Sequence, residues 1–219
     1  AACMAVAMLC AVCSITINPG RVQAADFWPE GPEVQSASAI VMEASTGTIL
    51  YEKNSMEAHY PASITKIMTT LLALENGNLS DTVTFSSDAV YKTEGSGIAR
   101  DVGEQMTLEQ CLYAVMLESA NECAYAVAEH IGGTVDNFVA MMNEKAAEIG
   151  CQNTHFNNPH GLQDENHYTC AYDMALIAKA AWQNEMFRII TGTPSYMIPP
   201  TNKHADETPP QNHNCMLHP

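Results

Sequence analysis

One β-hairpin pattern followed by a series of helical patterns limits the folds open to this chain. Apolar runs at residues 38–42 and 48–51 flank Ser45-Thr46-Gly47, an arrangement that predicts a hairpin. A single hairpin cannot bury both of its faces, so we expect an α/β or α+β core in which helices pack on an antiparallel sheet with further strands. Helical apolar spacing recurs in five segments: 63–76, 107–116, 122–131, Val135–Ile149 and Ala171–Trp182.

Local signals support several of these boundaries. Thr107-Leu108-Glu109-Gln110 has the form of a capping box, which predicts a helix start. Gly150 follows the helix predicted over Val135–Ile149, and glycine is common just beyond a helix end. Residues 80–103 are polar and the chain after Ile190 is rich in proline, so both segments are predicted to be irregular.

The charge balance is strongly acidic. The sequence has 9 Lys and Arg residues against 25 Asp and Glu residues, a formal net charge of -16. Binding to nucleic acid depends on basic side chains that neutralise phosphates, and docking on anionic lipid has the same requirement. The composition therefore disfavours both partners, and an acidic surface mainly promotes solubility.

The N-terminal segment is typical of an export signal. Residues 1–17 are apolar, Asn18-Pro19-Gly20 interrupts the run, and Val22-Gln23-Ala24 offers small residues for processing. A buried helix or a membrane span is the alternative, although the run is short for a span. We expect an exported protein with three segments: a signal peptide that lacks its first residues (1–24), a lead-in (25–37) and a folded domain (38–219).

The cysteines leave one pairing open. Three of the eight lie in the predicted signal peptide, and the sequence contains no Cys-x-x-Cys pair, which argues against a zinc cluster or a thioredoxin-type site. Cys111 and Cys123 fall on helical patterns and are expected to be buried thiols. Cys151 and Cys170 could form a disulfide, and the spacing alone does not decide this.

Ser63 and Lys66 stand where the first helical pattern begins. Lys66 follows Ser63 three positions later, so a helix places the hydroxyl and the amine on one face. A serine hydroxyl needs an adjacent base to become a nucleophile, and an unprotonated lysine can be that base. The helix macrodipole favours an oxyanion here and disfavours a charged Lys66. A polar first turn with a solvated lysine is the alternative.

Ser119-Ala120-Asn121 interrupts the helical patterns further along. A hydroxyl can pass a proton to a leaving amine, and a carboxamide can both donate to and accept from a substrate amide. Serine and asparagine between two helices are otherwise plain capping residues. The two motifs together indicate an acyl-transfer site.

Both motifs and their surroundings resemble the D-alanyl-D-alanine carboxypeptidases of the low-molecular-mass penicillin-binding group. These serine peptidases carry Ser-x-x-Lys, Ser-x-Asn and Lys-Thr-Gly motifs. The similar stretches follow the family order over most of residues 38–217. They are Tyr60-Pro61-Ala62-Ser63-Ile64-Thr65-Lys66-Ile67-Met68-Thr69, Glu118-Ser119-Ala120-Asn121, Asn158-Pro159-His160-Gly161-Leu162, Ala171-Tyr172-Asp173-Met174-Ala175 and Asn212-His213-Asn214.

The resemblance implies a β-lactamase/transpeptidase-like fold and a partial catalytic domain at residues 38–219. It implies that a peptidoglycan stem peptide ending in D-Ala-D-Ala acylates Ser63 and that Lys66 takes the serine proton. Ser119 would relay a proton to the departing D-alanine, and Asn121 would bind the substrate backbone amide. No cofactor and no metal are implied, and β-lactam antibiotics would acylate Ser63 as inhibitors.

The third family motif is missing from the sequence. Lys92-Thr93-Glu94 precedes Ser119 and has glutamate where the family has glycine, so it does not replace Lys-Thr-Gly. In the family that strand binds the substrate carboxylate, lines the oxyanion hole and adds a cation near the catalytic lysine. We therefore expect this chain to be an inactive fragment of an active enzyme, without the C-terminal strands of the sheet.

Three other readings are open at this point. A class A-like β-lactamase needs a glutamate that activates water, and the loop at residues 153–168 offers Asp164 and Glu165 without the expected Glu-x-x-Leu-Asn arrangement. A zinc peptidase could use His155, His160 and His167, although their spacing fits no His-Glu-x-x-His pattern. A non-catalytic relative of the same fold is the third.

Overall fold

The computed structural model describes residues 31–217. Contacts divide the chain into Ala1–Glu33 and Val34–Pro219, and the second unit carries every element described below. The predicted signal peptide and residues 25–30 of the predicted lead-in lie outside the described residues. No helix between residues 31 and 217 is both long enough and apolar enough to cross a bilayer.

Strands and helices alternate in the first half of the described chain, and helices dominate the second half. Short 3₁₀ helices at Ala62–Thr65 and Cys215–Leu217 accompany them. In chain order the other elements are β1 (Ala39–Met42), β2 (Ile49–Lys53), α1 (Lys66–Asn76), β3 (Thr82–Thr84), α2 (Ser87–Tyr91), β4 (Gln105–Thr107), α3 (Leu108–Leu117), α4 (Asn121–Gly132), α5 (Val135–Ile149), α6 (Ala171–Trp182) and α7 (Glu185–Thr191).

The strands form two antiparallel pairs. β1 and β2 make the predicted hairpin, with Val41 opposite Tyr51, and α6 packs against β1. β3 and β4 pair with Val83 opposite Met106. The predicted fold class, helices packed on antiparallel strands, is confirmed.

Helix α1 lies among most of the other helices. It packs against α3, α4, α5, α6 and α7, and Met68, Leu71 and Leu72 on its predicted apolar stripe are buried. Burial of a leucine or methionine side chain stabilises a fold by about 1.5–3 kcal/mol. Because α1 begins directly after the 3₁₀ turn at Ala62–Thr65, this packing also fixes the position of that turn.

Two segments differ from the prediction. Residues 80–103 contain β3 and α2, and the Ser86 hydroxyl caps α2 by accepting the Ala89 N–H. The helical patterns also miss α7, which begins where the Asn184 side chain accepts the N–H groups of Met186 and Phe187. Both helices are short, so their apolar spacing is too brief to be recognised, and their caps are the stronger signal.

Cys111, Cys123, Cys151 and Cys170 are free thiols. Cys111 and Cys123 are buried in the core, as predicted. Cys151 and Cys170 are not bridged, and both instead bind the backbone of Asp173. The Cys170 sulfur accepts the Asp173 N–H at 3.4 Å and so caps α6.

Candidate active site

Ser63 lies on the short 3₁₀ turn that leads into α1. Ala62, the first residue of the turn, has a φ of +50°, which is uncommon for a residue with a side chain. The preceding residue, Pro61, is buried, whereas Ser63 is exposed. The turn therefore presents the Ser63 hydroxyl to solvent at the positive end of the α1 macrodipole.

Lys66 is buried beneath Ser63, with 2% of its surface exposed. Its Nζ lies 3.3 Å from Ser63 Oγ and donates to the His160 carbonyl oxygen at 2.6 Å. Burial lowers the pKa of Lys66 to about 8, against an opposing effect of the Glu122 charge. At pH 7 about one Lys66 in ten is then neutral, and a neutral amine can accept the Ser63 proton while it still donates to His160.

The loop that carries His160 is fastened to the start of α1. The Thr69 hydroxyl donates to the Pro159 carbonyl oxygen at 2.6 Å. Gly161, with a φ of +90°, lies so close to Ala62 that any side chain at Gly161 would collide with the Ala62 carbonyl. The loop therefore holds the carbonyl that Lys66 contacts in a fixed position.

His167 makes a second link between this loop and the 3₁₀ turn. Its Nδ1 accepts the Asn157 N–H at 2.9 Å, so Nε2 carries the ring proton and donates to Thr65 Oγ1 at 2.8 Å. Burial lowers the pKa of His167 to about 4. Burial, with the nearby charge of Lys66, also lowers the pKa of His160 to about 4, so both rings are neutral at pH 7.

Ser119 stands in the turn between α3 and α4. Its φ is +56°, and its hydroxyl oxygen is buried without a hydrogen-bond partner within residues 31–217. Leaving a buried polar group unpaired costs about 1–3 kcal/mol. Such a group is typical of a site that is completed by a ligand or water.

Asn121 is the first residue of α4, and its side-chain amide also lacks one hydrogen bond. Its Nδ2 donates to the Glu94 carbonyl oxygen at 2.6 Å, and its backbone N–H donates to the Ser96 carbonyl oxygen at 2.9 Å. Its Oδ1 is buried and has no partner in the described part of the chain. One amide oxygen therefore stays available as an acceptor next to Ser119.

The C-terminal segment supports the Ser119 turn from another side. The Glu118 carboxylate accepts the Gln211 N–H at 2.8 Å, and its other oxygen lies 3.3 Å from His213 Nε2. The family-like stretch at residues 212–214 thus lies beside the Ser-x-Asn turn. The pattern of the sequence did not indicate this contact, because the partners are about ninety residues apart in the chain.

The structure places the four predicted residues in two groups near the starts of α1 and α4, two helices that pack against each other. Ser63 and Lys66 are in contact, and Ser119 and Asn121 lie at the start of α4, the helix that packs against α1. The prediction missed the carbonyl groups of His160 and Glu94, which hold Lys66 and Asn121 in place. Backbone acceptors leave no signal in a sequence.

The residues of the alternative readings have other contacts. His155 Nδ1 pairs with the Asn166 carbonyl oxygen at 2.6 Å, away from the partners of His160 and His167. Among residues 31–217 no three His, Cys, Asp or Glu side chains are grouped to hold a metal ion. Asp164 closes its own loop by accepting the Asn166 N–H at 2.8 Å.

Lys92-Thr93-Glu94 lies at a helix end and not on a strand. The Lys92 ammonium pairs with Asp88 at 2.6 Å, and the Thr93 hydroxyl donates to the Ala89 carbonyl oxygen at 2.7 Å. These contacts are those of the last turn of α2. This position at the end of a helix differs from the strand on which the family carries Lys-Thr-Gly.

Solved structures with the same architecture come from penicillin-binding proteins. A mutant of the Streptomyces K15 DD-transpeptidase has a TM-score of 0.80 and 30% identity, covering 86% of this chain and 78% of that one. A penicillin-binding protein homologue from Mycobacterium tuberculosis has a TM-score of 0.81 and 29% identity, covering 88% of this chain and 72% of that one. The predicted β-lactamase/transpeptidase-like fold is confirmed.

Curated relatives are similar in sequence but longer. The D-alanyl-D-alanine carboxypeptidase DacF of Bacillus subtilis is 44% identical over 164 residues, which are 73% of this chain and 42% of that protein. DacA of Escherichia coli K12 is 33% identical over 163 residues, 69% of this chain and 40% of that protein. The chain thus spans less than half the length of these relatives.

The family model described as D-alanyl-D-alanine carboxypeptidase matches residues 25–218, which is most of the chain. The match includes both motif groups and the loop that carries His160. With these contacts, the relatives and the shared architecture in agreement, the chain belongs to the D-alanyl-D-alanine carboxypeptidases of peptidase family S11.

Proposed function

We propose that the protein is a serine-type D-Ala-D-Ala carboxypeptidase that removes the terminal D-alanine from peptidoglycan stem peptides. The observation that carries this proposal is the 3.3 Å contact between Ser63 Oγ and the buried Lys66 amine. Burial lowers the pKa of Lys66 to about 8, so a usable fraction of the amine is unprotonated at neutral pH.

The first half of the reaction forms an ester on Ser63. Neutral Lys66 takes the hydroxyl proton as Ser63 Oγ attacks the carbonyl carbon of the penultimate D-alanine. The tetrahedral intermediate then collapses, and its C–N bond breaks. The leaving amine receives a proton from Ser119, which Lys66 replenishes, and D-alanine departs.

Water completes the cycle. It gives a proton to Lys66 and attacks the ester carbon, and the second intermediate releases the shortened peptide as a carboxylate while Ser63 regains its proton. Asn121 binds the backbone amide of the substrate during both steps. The unpaired Ser119 hydroxyl and the unpaired Asn121 Oδ1 support these roles, because each lacks the partner that a substrate would supply.

We further propose that the same site binds penicillin and that the protein acts at the cell wall. A β-lactam ring carries an amide carbonyl that Ser63 can attack. The C–N bond of the ring then breaks, but the leaving amine stays attached to the acyl group, which remains as an ester on Ser63. The substrate lies outside the cytoplasmic membrane, so we place the protein in the extracytoplasmic space, exported by residues 1–24 and active in cell-wall biogenesis and cell shape.

Fluorescent penicillin tests the proposal directly. A chimera that continues from this chain into the remainder of the Bacillus subtilis relative should be labelled on one residue, identified by mass spectrometry as Ser63. The matched variant Ser63→Ala should remain unlabelled. An unlabelled parent chimera that is folded would overturn the proposal.

The 219-residue chain on its own is the second sample. Its sequence contains no Lys-Thr-Gly motif, which in the family supplies a cation and part of the oxyanion hole, so it should acylate at least about a hundredfold more slowly. Rapid labelling of the shorter chain would show that this third motif is dispensable. Slow release of the penicilloyl group favours a carboxypeptidase, whereas rapid turnover of penicillin would favour the β-lactamase alternative.

A further inference from the structure

Glu122 is a buried carboxylate that the mechanism above does not use. It follows Asn121 directly in the first turn of α4 and is 7% exposed. The cap residue of this helix, Ala120, makes no side-chain hydrogen bond. The Glu122 carboxylate is the acidic group of the first turn, where the positive end of the helix macrodipole favours a negative charge. A buried carboxylate is costly unless it is hydrogen-bonded or opposed by positive charge.

The first set of Glu122 contacts is to the loop at residues 94–98. Glu122 Oε1 accepts the Ile98 N–H at 2.6 Å. Gly97 packs directly on the carboxylate, and a Cβ at Gly97 would collide with both oxygens. Asn121 binds the same loop through Ser96 and Glu94, so two consecutive residues of α4 hold one loop.

Glu122 also acts on Lys66 through its charge, without a direct ion pair. No lysine, arginine or histidine nitrogen within residues 31–217 lies within 4.0 Å of its carboxylate. Its charge nevertheless acts on Lys66, since α1 and α4 pack against each other, and it opposes the effect of burial on the pKa of Lys66. His160, the other titratable group beside Lys66, is neutral at pH 7 because its pKa is about 4.

We propose that Glu122 is a positioning residue of this site, a buried anion that holds the 94–98 loop against Asn121 and balances the charge on Lys66. The inference deepens the proposed function, on which the roles of Asn121 and Lys66 rest. Glu122 touches neither substrate nor reacting atoms in this scheme. It determines the fraction of Lys66 that is protonated and the position of the Asn121 side-chain amide.

The charge is tested by an NMR titration of the 219-residue chain labelled with ¹³C-lysine, with Lys66→Arg to assign the signal. Glu122→Gln keeps an acceptor for Ile98 but removes the charge. The Lys66 midpoint should therefore move to lower pH, raising the neutral fraction at pH 7 about two- to fivefold. Glu129→Gln, the same change two turns along α4, should leave the midpoint in place.

The loop is tested by hydrogen exchange of the Ile98 amide in the same samples. Glu122→Asp keeps the charge but shortens the side chain, so exchange at Ile98 should rise at least about tenfold while Lys66 titrates nearer to the parent value. This variant also decides the loop contact should Glu122→Gln fail to fold.

Two results would overturn the inference. One is a Lys66 midpoint in Glu122→Gln that equals the parent value or moves equally in Glu129→Gln. The other is unchanged Ile98 exchange in Glu122→Asp. Neither readout needs catalysis, so a protein that titrates as expected but never binds penicillin would refute the proposed function and leave the positioning role of Glu122 standing.

Discussion

Gly161 packs against the carbonyl of Ala62, and both residues have positive φ values, +90° and +50°. Two positions with positive φ thus lie directly against each other. The contact joins the loop that carries His160 to the turn that carries Ser63. Any change that separates these two backbones also moves the carbonyl that holds Lys66.

Gly161→Ala should therefore be much more costly than a glycine change elsewhere. Its Cβ has no space beside Ala62, so we expect a loss of about 3 kcal/mol in the free energy of unfolding, measured by urea denaturation. Gly150→Ala is the matched control, because Gly150 has a φ of +94° with nothing within 4 Å of an added Cβ. It should lose only about 1 kcal/mol. Equal losses would mean that the Ala62 contact is unimportant.

Replacing Lys66 with methionine should stabilise the protein at pH 7. Burial lowers the pKa of Lys66 from 10.5 to about 8, which corresponds to a penalty of about 3 kcal/mol when the amine is charged. Methionine fills a similar volume without that penalty but leaves the His160 carbonyl oxygen without its donor, so the net gain should be about 1 kcal/mol. Lys145→Met, which breaks the 3.0 Å pair with Glu75, should bring no gain.

The pH dependence of this variant has a definite sign. Between pH 8 and 10.5 folded Lys66 loses its proton while the unfolded chain keeps its own, so the unfolded state binds more protons and stability rises with pH. The difference between the parent and Lys66→Met should shrink across this interval. A constant difference from pH 7 to 10.5 would show that Lys66 is not titrating there.

Much of the helical framework could be predicted because its signals are local. Both hydrogen bonds of the capping box at Thr107 and Gln110 are present, and the predicted bounds of α5 and α6 match the structure. The Ser63–Lys66 contact also follows from local spacing. In each case the residues that decide the geometry are neighbours in the sequence.

The parts that could not be predicted depend on distant partners. β3 is three residues long and exists because β4 pairs with it, more than twenty residues later. The carbonyl of His160 reaches Lys66 from a loop ninety-four residues away. The unpaired state of Ser119 Oγ is a property of the packed structure and not of a motif.

Acid should destabilise the protein through His167. Burial lowers its pKa from 6.5 to about 4, so between these pH values the unfolded chain binds a proton that the folded chain does not, and stability falls as pH falls. His167→Gln keeps a donor for Thr65 without this titration. The stability lost between pH 7 and pH 4 should be smaller in the variant by about 3 kcal/mol, measured by urea unfolding at both pH values. The same loss in both proteins would contradict a neutral buried His167.

Ser119→Ala should separate stability from activity. The Ser119 hydroxyl is buried without a partner, so its removal leaves nothing unpaired and should change the free energy of unfolding by less than about 0.5 kcal/mol or increase it. In the chimera with the Bacillus subtilis relative, the rate of penicillin acylation should fall about a hundred- to a thousandfold, because the proposed proton relay is removed.

Thr69→Val is the matched control for Ser119→Ala. The Thr69 hydroxyl donates to the Pro159 carbonyl at 2.6 Å, and valine would leave that buried carbonyl unpaired at a cost of about 1–3 kcal/mol. One buried hydroxyl should therefore matter mainly for stability and the other mainly for rate. If Ser119→Ala were as destabilising as Thr69→Val, the Ser119 hydroxyl would have a structural partner in solution. It would then not be free for proton transfer.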